Sequence, residues 1–441
     1  MSTAQLDRVA PARGPAPGGV LYRVRGMRHT SPGRLRLTLA ALLVLGLLTG
    51  LVAGLTAASA RAGTDDLADR AQPLLVEAET IYSALADADT TAAQAFLAGG
   101  LEPAELSRRY EADLDRATTA LTSAARRTPA RGPAADAIGT LSADIPRYAA
   151  LVASARANNR QGLPIGASYL SAASQLSRDS LQPNAQALFH EAQDEVDAGY
   201  SGARSFWWAA LLIVLLVALL AALVLTQLHL SRTTRRTFNV PLLAATAVAV
   251  LLTVTTAAVL AGQRSHLTAA AEQGSTPVAL VAETRIYALR ERGDDALTLV
   301  ARQGTPPPDR DLYKAYDERL SRLLADADRA TGAGAADAAV DSAAVHREAW
   351  EKAHAEIRAL DERGRYDDAV QLAIGQATTR TFTAFTDDLG RALEDRKAAF
   401  TREIDDAGRG LGLLTVLGPL LALALCALAA AGLRARLEEY R

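Results

Sequence analysis

Four stretches of the chain are apolar throughout and free of Asp, Glu, Lys and Arg: Leu37–Ala60, Ser205–Leu230, Phe238–Gly262 and Gly410–Leu433, of 24, 26, 25 and 24 residues. A helix rises about 1.5 Å per residue and the hydrocarbon core of a bilayer is about 30 Å thick, so each stretch is long enough to span. Trp207 and Trp208 stand at one end of the second stretch, where aromatic side chains meet lipid headgroups. The segments between, 61–204 and 263–409, have a different pattern. Ala, Leu, Glu, Asp and Arg dominate them, β-branched runs are scarce, and no Asn-Gly or Asp-Gly hairpin signal occurs. Turn signals divide the first into 61–98, 102–127, 134–160 and 164–204, and the second into 264–303, 309–331, 335–363 and 365–408. Four helices per segment predict two antiparallel four-helix bundles. The expected fold is an all-α membrane protein, with four transmembrane helices and two tandem extracytoplasmic four-helix bundles.

The two halves resemble each other. Pro73 and Ala78-Glu79-Thr80-Ile81-Tyr82 match Pro277 and Ala282-Glu283-Thr284-Arg285-Ile286-Tyr287, with Arg285 inserted. Leu106, Tyr110, Leu114, Ala117 and Leu121 match Leu312, Tyr316, Leu320, Leu323 and Ala327 at a constant offset of 206. Their internal spacing of 4, 4, 3 and 4 marks one helix face. These matches imply an internal duplication of span, outer domain and span, with a pseudo-dimeric pair inside one chain. An extra residue turns a helix by about 100°, so Arg285 is expected to rotate the rest of its helix relative to the first copy.

Charge changes the picture by giving direction. The whole chain carries −2, yet residues 1–36 hold seven Arg against one Asp. The 231–237 link holds Arg232, Arg235 and Arg236, and the 434–441 tail three Arg against two Glu. By the positive-inside rule these pieces are cytoplasmic, which places both termini inside a multi-pass cell-membrane protein. The segments 61–204 and 263–408, at −6 and −7, then lie outside. A cleaved signal peptide ending at Ala58-Ser59-Ala60 is the rival for the first span, against which its apolar run is long. The Pro-, Gly- and Arg-rich tail 1–36 reads as a disordered arm lying on anionic lipid or on a cytosolic partner. Near-neutral charge argues against nucleic-acid binding, and the single cysteine, Cys426, excludes an internal disulfide.

No chemistry of catalysis is visible. Phosphate-loop, nucleophile-elbow and His-Glu-x-x-His patterns are absent, so no catalytic, cofactor or metal residue is assigned and the protein is expected not to be an enzyme. His346 and His354 are eight apart, about 12 Å along a helix and too far for one metal. Trp350 between them reads as a core or surface filler. Asp367-Asp368 and Asp387-Asp388 read as solvated faces beside Arg partners. Gly46, Gly50 and Gly54 form a ladder on which a second span could pack closely. Pro73 and Pro277 fall inside the first outer helix of each copy and predict a kink or a helix restart. Glu79, Tyr82, Glu283 and Tyr287 come after them as candidate sensor positions. Arg23, Arg25, Arg28, Arg232, Arg235 and Arg236 form the candidate cytoplasmic output surface.

Tandem span–ectodomain–span units, an Ala- and Arg-rich composition and almost no cytoplasmic mass resemble the actinobacterial GlnX membrane proteins. The outer segments are similar to the four-helix sensor domains of bacterial chemoreceptors and histidine kinases. The likeness covers residues 35–441 by layout, with no signature residue to carry over. It implies a relay of amino-acid status, partnered by a glutamine/glutamate-type solute-binding lipoprotein and a cytosolic Ser/Thr kinase, protein kinase G. The expected function is non-catalytic transmembrane signalling. The alternative is an envelope scaffold with no signalling state.

Overall fold

The computed structural model describes residues 31–99, 102–203, 206–234, 239–300, 310–332 and 334–438. Among them every regular element is a helix. The chain divides into two compact units. One is built from the described residues of Met1–Ser59, Ser205–Leu260 and Gly410–Arg441, the other from those of Ala60–Arg204 and Ala261–Arg409.

The first unit is a bundle of four apolar helices. Helix α1 (Ser31–Asp66), α7 (Phe206–Thr234), α8 (Val240–Ala270) and α14 (Leu411–Glu438) supply its spans, and each is long and apolar enough to cross a membrane. The protein is an all-α membrane protein. Leu42, Leu223, Leu242 and Leu425, one from each helix, share a buried cluster, while Val44, Val214, Val254 and Leu420 remain exposed. Such an outward apolar face suits lipid, because the backbone polar groups are satisfied within each helix.

Gly46, Gly50 and Gly54 lie against α14. A Cβ on Gly46 would stand 2.6 Å from Cys426 Sγ, one on Gly50 2.5 Å from Ala422 Cβ, and one on Gly54 3.3 Å from Pro419 Cγ. Bare glycine backbone is what lets the two helices approach this closely. Polar ties are few. Gln227 Nε2 donates to Leu242 O at 3.0 Å and Thr246 Oγ1 at 2.8 Å, and Asn239 Nδ2 donates to Gly432 O at 2.9 Å.

The second unit joins the two segments that lie between spans in sequence, 61–204 and 263–409, around one continuous hydrophobic core. The first segment contributes α2 (Gln72–Leu97), α3 (Ala104–Arg127), α4 (Pro133–Arg160), α5 (Ile165–Leu176) and α6 (Gln182–Ala203). The second contributes α9 (Thr276–Val300), α10 (Arg310–Thr331), α11 (Ala335–Glu362), α12 (Tyr366–Ile374) and α13 (Gln376–Gly408). Helix α2 packs against α3 and α6 of its own segment and against α9 of the other. Helix α9 packs likewise against α10 and α13. The pair α2–α9 is therefore the seam between segments, and α2 is buried along most of its faces.

Two local differences from expectation have clear causes. The prolines do not break their helices. Each comes after a five-residue π turn, Leu67–Ala71 before Pro73 and Ala271–Ser275 before Pro277, and a third turn, Ser177–Leu181, precedes Pro183. A π turn carries an extra residue, which makes room for the proline ring where a regular helix would clash with the carbonyl four residues back. The extra backbone is accommodated by glycine. A Cβ on Gly274 would sit 2.8 Å from Phe400 Cβ, and one on Gly199 2.5 Å from Leu67 Cδ2. The last helix of the second segment is cut at Gly375, whose ψ of 143° is extended. A Cβ there would meet the carbonyl of Gln371 at 3.0 Å.

Candidate functional site

The seam between α2 and α9 gathers the polar side chains that the hydrophobic pattern of these helices does not explain. Asp87, on α2 in the run Ala86-Asp87-Ala88-Asp89, is fully enclosed. Arg285 of α9 reaches it with Nη2 2.6 Å from Oδ2. Arg109 and Arg116 of α3 approach at 3.3 and 3.9 Å. Arg116 also pairs with the buried Asp113. Burial, reinforced by the charge of Asp87, pushes the Asp113 carboxyl up to about 6. Arg285 is thus one of the cations that tie the two segments together. Helix α9 is regular through Arg285.

Further ties follow along the seam. Glu79, 1% exposed, accepts a 2.7 Å hydrogen bond from Lys397 Nζ of α13. Gln72 Nε2 donates to Thr401 Oγ1 of the same helix at 3.0 Å. Arg290 of α9 lies over the rings of Tyr82 and Tyr287, 5.4 and 5.9 Å from their centres. Its Nη2 donates to the Tyr82 hydroxyl and its Nε to Gln182 Oε1, both at 2.8 Å. Burial pushes the Tyr82 phenol up to about 12, so the hydroxyl stays protonated. Thr90 Oγ1 donates to Leu289 O at 2.9 Å, across a crossing where Gly293 faces that threonine.

The structure brings Glu79, Tyr82 and Tyr287 together at this seam. Glu283 is half-exposed and pairs with Arg319 of α10 at 2.8 Å. Pro73 and Pro277 lie just after their π turns on the same two helices. Arg23, Arg25, Arg28, Arg235 and Arg236 lie outside the described residues, as does the side chain of Arg232. The reading of Asp387-Asp388 as a solvated face is corrected: Asp388 is 1% exposed and held by His346 Nδ1 at 2.7 Å and by Arg391. Trp350 is a core residue. Among the described residues no three His, Cys, Asp or Glu side chains converge as a metal-ligand set.

Sequence reasoning passed over Asp87, Arg290 and Lys397. The signal for Asp87 was an acid inside the alanine-rich run 84–93. Arg290 and Lys397 carried none, because their meaning depends on which helix stands opposite.

The fold and the four apolar helices define the chain as an all-α membrane protein. Residues 63–201, nearly all of the segment 61–204, match the family described as an actinobacterial sensor domain. No curated protein and no solved structure matches the chain.

Proposed function

We propose that the protein is a non-catalytic transmembrane signal-transduction component, in which the seam between the two outer segments is the element that changes state. The observation that carries this reading is the buried chain of charges from Lys397 through Glu79 and from Arg285 to Asp87. Buried ion pairs contribute little net stability compared with apolar packing of the same shape, so their use at a seam suits a switch better than a fixed joint. The sensor-domain match to residues 63–201 supports the sensing half. The same two seam helices continue directly in sequence from α1 and α8, through a π turn each, which gives a covalent route for a shift at the seam.

The cue is an extracytoplasmic ligand or a ligand-loaded solute-binding protein, and the resemblance to GlnX proteins favours amino-acid status. A partner moves the equilibrium only by its difference in affinity for the two states. The basic residues of 1–36 and of the 231–237 link receive the output and present it to a soluble partner such as a Ser/Thr kinase. The duplication makes the seam a pseudo-dimer interface within one chain.

Arg285→Gln removes the inter-segment cation from Asp87 while leaving Arg109 and Arg116 on it. The expected result is an output locked in one state regardless of external amino acids, read as downstream kinase-substrate phosphorylation in cells. A variant that still responds normally rules out the seam as the switch. Normal output after deletion of 1–30 together with neutralisation of Arg232, Arg235 and Arg236 rules out the basic surface as the relay.

A further inference from the structure

The second outer segment holds a polar cluster with no part in the seam. Glu291 and Asp295 are one turn apart on α9 and so share a face. His354 of α11 reaches that face from across the bundle, its Nδ1 2.5 Å from Asp295 Oδ2. The ring of Trp350, one turn earlier on α11, lies 6.1 Å from the His354 ring and screens it. Glu291 is only 6% exposed, and among the described residues it has no ion pair or hydrogen bond. Nearby, Arg347 of α11 is spent on Glu351 and Asp317, and its Nη1 is left without an acceptor. A carboxyl this enclosed and unpaired is costly to ionise.

We propose that Glu291, Asp295 and His354 form a proton-binding site through which the outer unit responds to the pH around it. The bound state has Glu291 as a neutral acid and His354 as an imidazolium held by Asp295. Release leaves two carboxylates on one helix face with a neutral imidazole opposite, which weakens the hold of α11 on α9.

The electrostatics run in the same direction. Burial pushes the Glu291 carboxyl up to about 7; His354 opposes this, Asp295 reinforces it, Arg347 opposes and Asp317 of α10 reinforces. These are the charges that act most strongly on Glu291, and α2 and α13, which also pack on α9, add none to that set. For His354, burial works against the charge. The hydrogen bond to Asp295 and the charges of Asp295 and Glu291 outweigh it and Arg358, so the imidazole is raised above its usual 6.5. Both groups therefore hold protons more tightly in the folded unit than in an unfolded chain. The stability they lend is full at low pH. It is lost as pH rises from the ordinary glutamate value of 4.5 through about 7 for Glu291, and above 6.5 for His354.

The full chain in lipid nanodiscs, labelled with ¹³C in its histidine rings, tests this directly, with His354→Gln assigning the resonance. The expected His354 titration midpoint lies above 6.5 and moves down in Glu291→Gln, where the neighbouring carboxylate charge is gone. The thermal midpoint of the wild type is expected to fall between pH 5.5 and 8, and to fall less in Glu291→Gln. A wild-type His354 that titrates at or below 6.5 overturns the proposal, as does an unchanged pH slope in Glu291→Gln. Should that variant fail to fold, the wild-type titration alone decides. Both readouts are independent of cytoplasmic output, so failure of the relay and failure of the proton site give different results.

Discussion

Asp87 and Glu79 are acids that α2 could not tolerate alone. Each is enclosed by apolar and alanine side chains and depends on cations from other helices: Asp87 on Arg285, Arg109 and Arg116, Glu79 on Lys397. Removing one partner of a buried pair leaves a stranded charge and costs about 3–5 kcal/mol. Lys397→Met is accordingly expected to lower the thermal midpoint of the purified chain markedly. A second change, Glu79→Leu, should restore most of that loss, because the apolar pair needs no desolvation. A double variant as unstable as the single one would mean that the charge of Glu79 is not what Lys397 serves. Arg285→Gln is gentler, since two guanidinium groups remain on Asp87.

Helices here are shaped by what their neighbours demand at close approach. The three π turns place an extra residue before Pro73, Pro183 and Pro277, and two of them meet glycine at the contact: Leu67 against Gly199, and Gly274 against Phe400. In the span unit the same logic sets α1 on α14 through Gly46, Gly50 and Gly54. That contact has a direct check, because the chain's single cysteine faces it. Gly46→Cys in oxidised membranes should form an intrachain disulfide with Cys426, seen as a mobility shift reversed by reductant. Gly50→Leu is expected to abolish that crosslink, as its side chain cannot fit where a Cβ would stand 2.5 Å from Ala422. Efficient crosslinking in the double variant would show that the helices do not meet along this ladder.

At the scale of the molecule, the segments 61–204 and 263–409 are not independent bodies. One core runs through both, and α2 buries residues against α9 as well as against its own α3 and α6. A fragment of residues 61–203 therefore exposes the α2 face that α9 covers. Such a fragment is expected to dimerise through α2 or to bind a hydrophobic dye, measured by light scattering and by fluorescence. A monodisperse, dye-silent monomer would mean that the first segment closes its own core.

Much of this architecture was legible from residue order. Gly99, Gly132, Gly162 and Gly364 stand in the breaks between the helical ranges read from the sequence, and the backbone there takes positive φ, which glycine adopts without penalty. The apolar runs of about 25 residues carry their own length argument. The proline positions were legible too, though their outcome was not. Whether a helix kinks, restarts or swells into a π turn depends on the surface it must fit. Asp388 misled for a related reason: next to Asp387 it looks like solvated charge, and only the packing of α11 on α13 turns it inward to His346.

By itself the sequence determined the elements of this protein: four spans, the helices of two outer segments and a charge asymmetry along the chain. Those arise from local rules, helical rise against bilayer thickness, the 3.6-residue period and turn chemistry, which need no knowledge of a neighbour. Only the tertiary structure decided what Arg285, Lys397, Arg290 and Glu291 mean. A charged side chain on a helix reads as solvated until another helix covers it, and the energy of a buried charge is set by partners far away in sequence.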